Sequence, residues 1–292
     1  MFDGHKPYEY HRCRGCGASY QHPMPKPDMI SSFYPDSYRI YDVDVIIKKH
    51  RTLEKAVLRQ KYGYRHLQVP RFYRVIASFI APFFYRNAIR YSPPGKALDV
   101  GCGNGQLLHR LKDIGWDCEG VEFNKGAVET CRSHGLKVTH GDLESAKFED
   151  ASFDLITASH VIEHVPDLHS FMKEIARLLK RGGQALIRTP NNEALGRKWF
   201  GSHWYADDVP RHLFHLSVAN LDMIASRNNL SRVKLKLNTT PKNILNSVDY
   251  KTANKGRPSK KRRLRRFVAK IYVFMATLLG RGDEIYVIYE KT

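Results

Sequence analysis

Ala97-Leu98-Asp99-Val100-Gly101-Cys102-Gly103-Asn104-Gly105 decides the reading of this chain. An apolar run that ends in an acid and then alternates glycine with small residues reads as a buried strand feeding a tight turn. Gly101, Gly103 and Gly105 carry no Cβ, so the turn can take positive φ and bring its backbone within contact distance of a flat, polar ligand. Gln106 to Ile114 follows with helical spacing. A dinucleotide fingerprint runs G-x-G-x-x-G, but here position 106 is Gln and the third glycine comes one residue early. That weighs against a nicotinamide or flavin site.

Working outward, strands and helices alternate. Asp117 to Glu122 is a second strand ending in an acid, 21 residues past Gly101. A carboxylate there can accept hydrogen bonds from both ribose hydroxyls of a nucleoside. Asn124 to His134 is the next helix, and Leu136 to His140 a third strand leading to Gly141-Asp142-Leu143. Phe153 to His160 is a fourth strand, Leu168 to Lys180 an amphipathic helix stopped by Arg181-Gly182-Gly183, and Gln184 to Pro190 a fifth strand. Ser217 caps a helix to Asn229, Arg232 to Leu237 is a strand, and Asp283 to Tyr289 closes as an edge strand. The alternation predicts a mostly parallel sheet with helices on both faces and a ligand at the carboxyl ends of the strands.

A chain of 292 residues can bury a catalytic domain of about 200 residues plus an appended segment. The net charge of +19 and pI near 9.7 favour anionic partners. Cys102, Cys118 and Cys131 stand singly within core elements, which argues for a reducing cytoplasm rather than a disulfide framework. The first residues lack an apolar signal core, and no stretch approaches the ~20 apolar residues of a membrane span. Nothing sets the oligomeric state.

From about Pro93 to Lys180 the chain resembles the class I S-adenosylmethionine-dependent methyltransferases. The closer resemblance is to the bacterial type with an N-terminal Cys-pair segment, found in polysaccharide and natural-product clusters. It implies an α/β, doubly wound, seven-stranded, mostly parallel Rossmann-like sheet and S-adenosyl-L-methionine as cofactor. The implied cofactor residues are Asp99, Gly101, Cys102, Gly103 and Gly105 in the turn, Glu122 on the ribose, and Phe123 beside it. Asp142 would face the adenine amino group and Leu143 the ring, with Ser159 and His160 toward the methyl-donating sulfur. Ile162-Glu163-His164-Val165-Pro166-Asp167 is similar to the E-H-V-x-D stretch of small-molecule methyltransferases, in some of which the Glu-His pair supports a metal or orients the acceptor. Those metal users carry an acid where this chain has His160. The competing reading makes Glu163 a cap for the following helix. Ala158-Ser159-His160-Val161 stands where methyltransferases acting on base amino groups carry N/D-P-P-Y/F, so nucleic acid is disfavoured as a partner. His160, His164, His212 and His215 are the candidates for proton transfer, since imidazole titrates near neutrality.

Trp199 to His215 holds two tryptophans, three histidines, two aspartates and an arginine without a helical or strand period. We read a lid over residues 196–216 in which Trp199, Trp204, Tyr205, Arg211 and His212 bind the acceptor. The competing reading is an aromatic plug. Cys13-Arg14-Gly15-Cys16 supplies half a zinc site, with His5, His11 or His22 needed to complete it. Domain boundaries are expected at 1–40 for the Cys-pair segment, 41–92 for a helical cap and 93–292 for the catalytic domain, with a basic and apolar insertion at 251–280. The cap reads as two amphipathic helices, Val43 to His66 and Val69 to Tyr91. In the insertion, Leu264, Phe267, Ile271, Phe274 and Leu278 share one helical face. Packing of that face on the sheet is favoured over contact with an anionic membrane surface. The expected activity is methyl transfer, at oxygen, to a small-molecule, sugar or lipid-linked acceptor in the cytoplasm or at the inner membrane face. RNA methylation and a non-catalytic cofactor-binding scaffold compete with it.

Overall fold

The Cys13–Cys16 turn folds the N-terminal segment back on itself, so β1 (Glu9–Arg12) pairs antiparallel with β2 (Ser19–His22). The computed structural model describes residues 8–26, 29–30, 33, 49–81, 89–91, 95–253 and 262–292. After the hairpin come α1 (Thr52–Lys61) and α2 (Arg71–Ile80), then β3 (Lys96–Val100), α3 (Gln106–Lys112), β4 (Asp117–Glu122), α4 (Lys125–Ser133) and β5 (Lys137–His140). Next are β6 (Phe153–Ser159), α5 (Leu168–Leu178), β7 (Leu179–Pro190), α6 (Leu195–Phe200) and β8 (Phe214–His215). The chain ends with α7 (Val218–Ser226), β9 (Leu230–Asn238), α8 (Pro241–Ala253), α9 (Arg262–Leu278) and β10 (Glu284–Lys291).

Seven strands form one sheet in the order β5-β4-β3-β6-β7-β10-β9. Strands β3, β4 and β5 run parallel and β10 pairs antiparallel with β9. The strand order reverses at β3, between β4 and β6, which is where open α/β sheets hold their ligands. A second sheet, β1-β2-β8, docks the hairpin through Ser19 opposite His215. The expected fold class therefore holds.

The chain divides into two compact units. One comprises Asp36–Thr157 and Arg177–Ala185, with Leu98, Leu108, Val128 and Leu155 in a core shared with Tyr64 and Leu67. The other comprises Met1–Pro35, Ala158–Ala176 and Leu186–Thr292, where Leu195, Trp204, Ile244, Tyr272 and Ala276 form a cluster. Local signals place the helices: the Asn124 side chain accepts from Ala127 N–H at 2.8 Å, and Ser217 with Asn220 forms a reciprocal cap on α7.

Several expectations need correction. The two early helices are shorter than their periodicity, ending at Lys61 and Ile80. Tyr62 O accepts from Tyr91 N–H, which takes the chain out of the helix, while residues 43–48 and 82–88 lie outside the described part. Arg181-Gly182-Gly183 does not stop α5. The helix ends at Leu178, because Arg177 O and Leu178 O accept from Ala151 N–H and Ser152 N–H and draw the chain into β7. β10 is an interior strand, not an edge: Ile285 to Tyr289 are all buried, as befits a strand covered on both faces, and β9 takes the edge. The lid is less irregular than it reads, holding α6, two short 3₁₀ turns and β8.

The face of α9 expected in the core is exposed, with Phe267 at 62%, Phe274 at 68% and Leu278 at 73%. Ala269, Tyr272 and Ala276 are buried instead. The Tyr272 hydroxyl donates to Asp283 and accepts from Gly196 N–H, so it is buried as a paired group, and the two alanines let the helix approach closely. The side chain of Leu264 lies outside the described part.

Candidate functional site

The glycine turn has the backbone its composition demands, with φ of 65°, 53° and 75° at Gly101, Gly103 and Gly105. A Cβ on Gly105 would stand 2.3 Å from Leu136 Cδ1, whereas one on Gly103 would meet nothing within 4 Å. Packing thus requires Gly105, while Gly103 leaves its backbone open to a ligand. Glu122, buried at the end of β4, accepts from Gly103 N–H and Asn124 N–H at 2.8 Å each. These bonds tie the turn to the strand end, and a carboxylate with about four acceptor positions keeps capacity for a ribose diol. Asp99 is buried beneath and accepts the Thr157 hydroxyl at 2.6 Å; burial pushes its carboxyl up to about 7. Phe123 is 63% exposed, Asp142 accepts from Ser145 N–H at 2.7 Å, and Leu143 is buried. Cys102 is buried, and Cys131 donates its thiol to Gly103 O.

β6 ends at Ser159, and a histidine cluster follows. His160 sits at φ 58° with Nδ1 3.2 Å from Glu163 Oε1 and Nε2 3.0 Å from Glu284 Oε1. Burial opposes its charge, but the two carboxylates prevail and raise it to about 9. Arg188 also grips Glu284, at 2.8 Å. Glu163 does not cap α5; Asp167 does, accepting from His169 and Ser170 N–H. Glu163 instead lies 1% exposed in a 3₁₀ turn, where hydrogen bonding to His160 and the nearby rings of His164 and His212 outweigh burial and hold it at about 2. His164 Nδ1 donates to Arg211 O at 2.9 Å, which fixes the orientation of the ring. His212 packs edge-on against His164, centroids 4.7 Å apart, and burial lowers it to about 4.

Glu163 Oε2 and His212 Nδ1 are buried without a hydrogen-bond partner. With His164 they offer one donor atom per residue within 4.8 Å of one another, a set that can hold a divalent cation. His215 is lowered to about 3, first by burial and then by Arg197, whose guanidinium donates to its Nδ1 at 2.8 Å while Tyr10 stacks at 4.2 Å. His160 is therefore a cation at neutral pH and His215 has its lone pair engaged. That leaves His164 and His212 as the remaining candidates for proton transfer.

The remaining candidates divide. Trp204 is buried at 3%, as the plug reading has it, whereas Trp199 and Tyr205 are exposed. Both arms of the Arg211 fork go to Asp208, so the guanidinium expected to bind the acceptor is occupied. Arg197, absent from the sequence reading, organises this segment by pairing with Asp207, His215 and Asn192. Glu284 was also missed: it stands 124 residues from His160, and no local spacing marks it. Cys13 and Cys16 flank the hairpin turn, where hydrogen bonds, that of Cys16 N–H first, lower the Cys13 thiol. Among the described residues no third ligand joins them, His11 stacks on His22 at 4.4 Å, and His5 lies outside the described part.

The family described as a methyltransferase domain matches residues 65–235, more than half of the chain. The chain belongs to that family. Two curated relatives are ubiquinone biosynthesis O-methyltransferases. That of Methylococcus capsulatus is 36% identical over 103 residues, covering 33% of this chain and 44% of the relative. That of Proteus mirabilis is 32% identical over 127 residues, covering 40% and 51%. The chain thus spans about half the length of the curated relatives it matches. A crystal structure of an S-adenosylmethionine-dependent methyltransferase from Archaeoglobus fulgidus is 17% identical, with a TM-score of 0.49, over 80% of this chain and 98% of that one. S-adenosylmethionine is the cofactor of this methyltransferase domain, and the open flank of Gly103 with buried Glu122 beside it fits a nucleoside. Glu122→Ala is expected to weaken cofactor binding by about 1–3 kcal/mol through loss of a charged acceptor, read by titration calorimetry.

Proposed function

We propose that this methyltransferase domain O-methylates a small hydroxyl-bearing acceptor, a sugar or lipid-linked molecule among the candidates. The observation that carries the reading is His164, held in one tautomer by Arg211 O beside a buried, ionised Glu163. Bound S-adenosylmethionine supplies an electrophilic methyl group on a good leaving group. The domain's own work is alignment and removal of one proton. The acceptor hydroxyl gives its proton to His164 Nε2, and the Glu163 carboxylate stabilises the imidazolium. His160, already charged, fixes the other side of Glu163. The names of the relatives favour oxygen as the methylated atom, and His160 in place of N/D-P-P-Y/F disfavours base amino groups. Radiolabelled methyl transfer from S-adenosylmethionine to a panel of phenols and sugars tests this, since no O-methylated product from any of them would reject it.

A second reading is favoured by the orphaned Glu163 Oε2 and His212 Nδ1. A divalent cation held by Glu163, His164 and His212 would acidify a bound hydroxyl. Exhaustive EDTA dialysis separates the two. Unchanged turnover supports the proton-acceptor reading, and loss restored by Mg²⁺, Mn²⁺ or Zn²⁺ supports the metal.

The enzyme also meets anionic membrane peripherally through α9. Its exposed face of Phe267, Ile271, Phe274 and Leu278 follows a run with eight Lys or Arg and no acid between 255 and 266. Such a pattern lies in a bilayer interface, each cation contributing about 1 kcal/mol. Among the described residues no helix is long and apolar enough to cross a membrane. Replacing Lys260, Lys261, Arg262 and Arg263 by Ser is expected to weaken salt-sensitive flotation with anionic liposomes; Lys260 and Lys261 lie outside the described part.

A further inference from the structure

A groove of about 720 Å³ lies along α1 and α2, lined by Arg59, Arg65, Arg71, Arg74, Val75 and Ser78, with no carboxylate in its lining. Arg59 donates to Leu67 O, whereas Arg65, Arg71 and Arg74 make no side-chain hydrogen bond or ion pair among the described residues. Four guanidiniums gathered without an acid repel one another, an arrangement that an anion in the groove relieves. The helix beside it is built in stripes. Ala77 turns into the core with Tyr73 and Ile80 against it, while Arg71, Arg74 and Ser78 form one outer row. One residue on, and so about 100° around the helix, Phe72, Val75 and Phe79 form a second row, exposed by 69%, 53% and 74%.

We propose that α2 and its arginine groove form a docking surface for an anionic phospholipid bilayer, the arginines taking headgroup phosphates and the Phe72-Val75-Phe79 row entering the acyl boundary. Charge decides the sign of the partner, and the apolar row decides its class. Arginine forks match phosphate oxygens. A nucleic acid would use the same arginines, but Val75 lines the groove itself and aliphatic side chains gain nothing from a phosphodiester backbone. A basic row beside an aromatic one on a short exposed helix is the pattern of an interfacial helix. This inference extends the membrane reading given for α9 but stands on different residues in the other unit.

Phosphatidylglycerol:phosphatidylcholine vesicles and a single-stranded RNA oligomer serve as probes, with full-length protein in co-sedimentation. Phe72→Ser with Phe79→Ser should lower vesicle partitioning by tenfold or more. Arg71→Gln with Arg74→Gln should lower it by about fivefold per arginine and weaken its dependence on the anionic lipid fraction. Unchanged melting temperature and cofactor affinity certify the fold, and because all four positions are exposed these are expected to hold. Full vesicle binding by both pairs, alongside loss in a Phe267→Ser, Phe274→Ser variant, overturns the α2 proposal and leaves the α9 contact standing. The converse pattern supports α2 and rejects α9. RNA binding that the arginine pair loses and the phenylalanine pair keeps, without vesicle binding by wild type, assigns the groove to nucleic acid and overturns the proposal.

Discussion

His164→Ala is expected to lower kcat by about 10²–10⁴-fold while leaving S-adenosylmethionine affinity unchanged. The ring is held by Arg211 O at 2.9 Å and sits beside Glu163, which carries its negative charge in near-complete burial. Removing it deletes the acceptor for the hydroxyl proton but touches neither Gly103 nor Glu122. Glu163 acts through its neighbours, so Glu163→Gln should lower kcat with little change in KM, and it should move the rising limb of the pH–rate profile to lower pH because the acceptor ring loses its counter-charge. Single-turnover measurements with saturating cofactor check both. A His164→Ala enzyme with wild-type turnover would remove the proposed proton acceptor altogether.

How much of this was legible depends on sequence distance. The glycine turn and the Ser217 cap were readable because each is set by residues within a few positions, where backbone conformation and short-range hydrogen bonds act, and Glu122 because it ends the strand beside the turn. The surroundings of the histidines were not. Glu284, Arg188 and Arg197 reach their partners only after the sheet forms, and Glu284 stands 124 residues from His160. The same composition at 199–215 could thus be read as acceptor contacts, whereas Arg211 pairs with Asp208 and Trp204 fills the core. The face of α9 was read backwards for a different reason. Hydrophobic periodicity finds the largest apolar stripe, but Ala269, Tyr272 and Ala276 pack more closely and satisfy a hydroxyl, so the smaller stripe went inside.

Two buried rings, His212 and His215, are expected to contribute stability that is lost in mild acid, between about pH 6.5 and 4, while the carboxyls of Asp99, raised by burial to about 7, and of Asp207 and Asp283, raised by burial to about 6, act in the opposite sense over the same range. His212 and His215 are only 8% and 5% exposed at their side chains, and burial, first in each case, lowers them to about 4 and 3. Their folded values lie below the unfolded one near 6.5. Their contribution is therefore complete above pH 6.5 and drains away as the pH falls, because the unfolded chain takes up protons that the folded rings refuse. His160 has the opposite sign: raised to about 9, it contributes fully below pH 6.5 and less as the pH climbs through 9. Urea unfolding of wild type and His215→Gln at pH 7.5, 6.0 and 4.5 should show the widest gap between the two midpoints at pH 7.5, where the neutral ring accepts from Arg197, and a narrower one at pH 4.5. A gap that stays constant from pH 7.5 to 4.5 would mean that the His215 ring is not held neutral in the folded protein, and the histidine cluster would then need another electrostatic account.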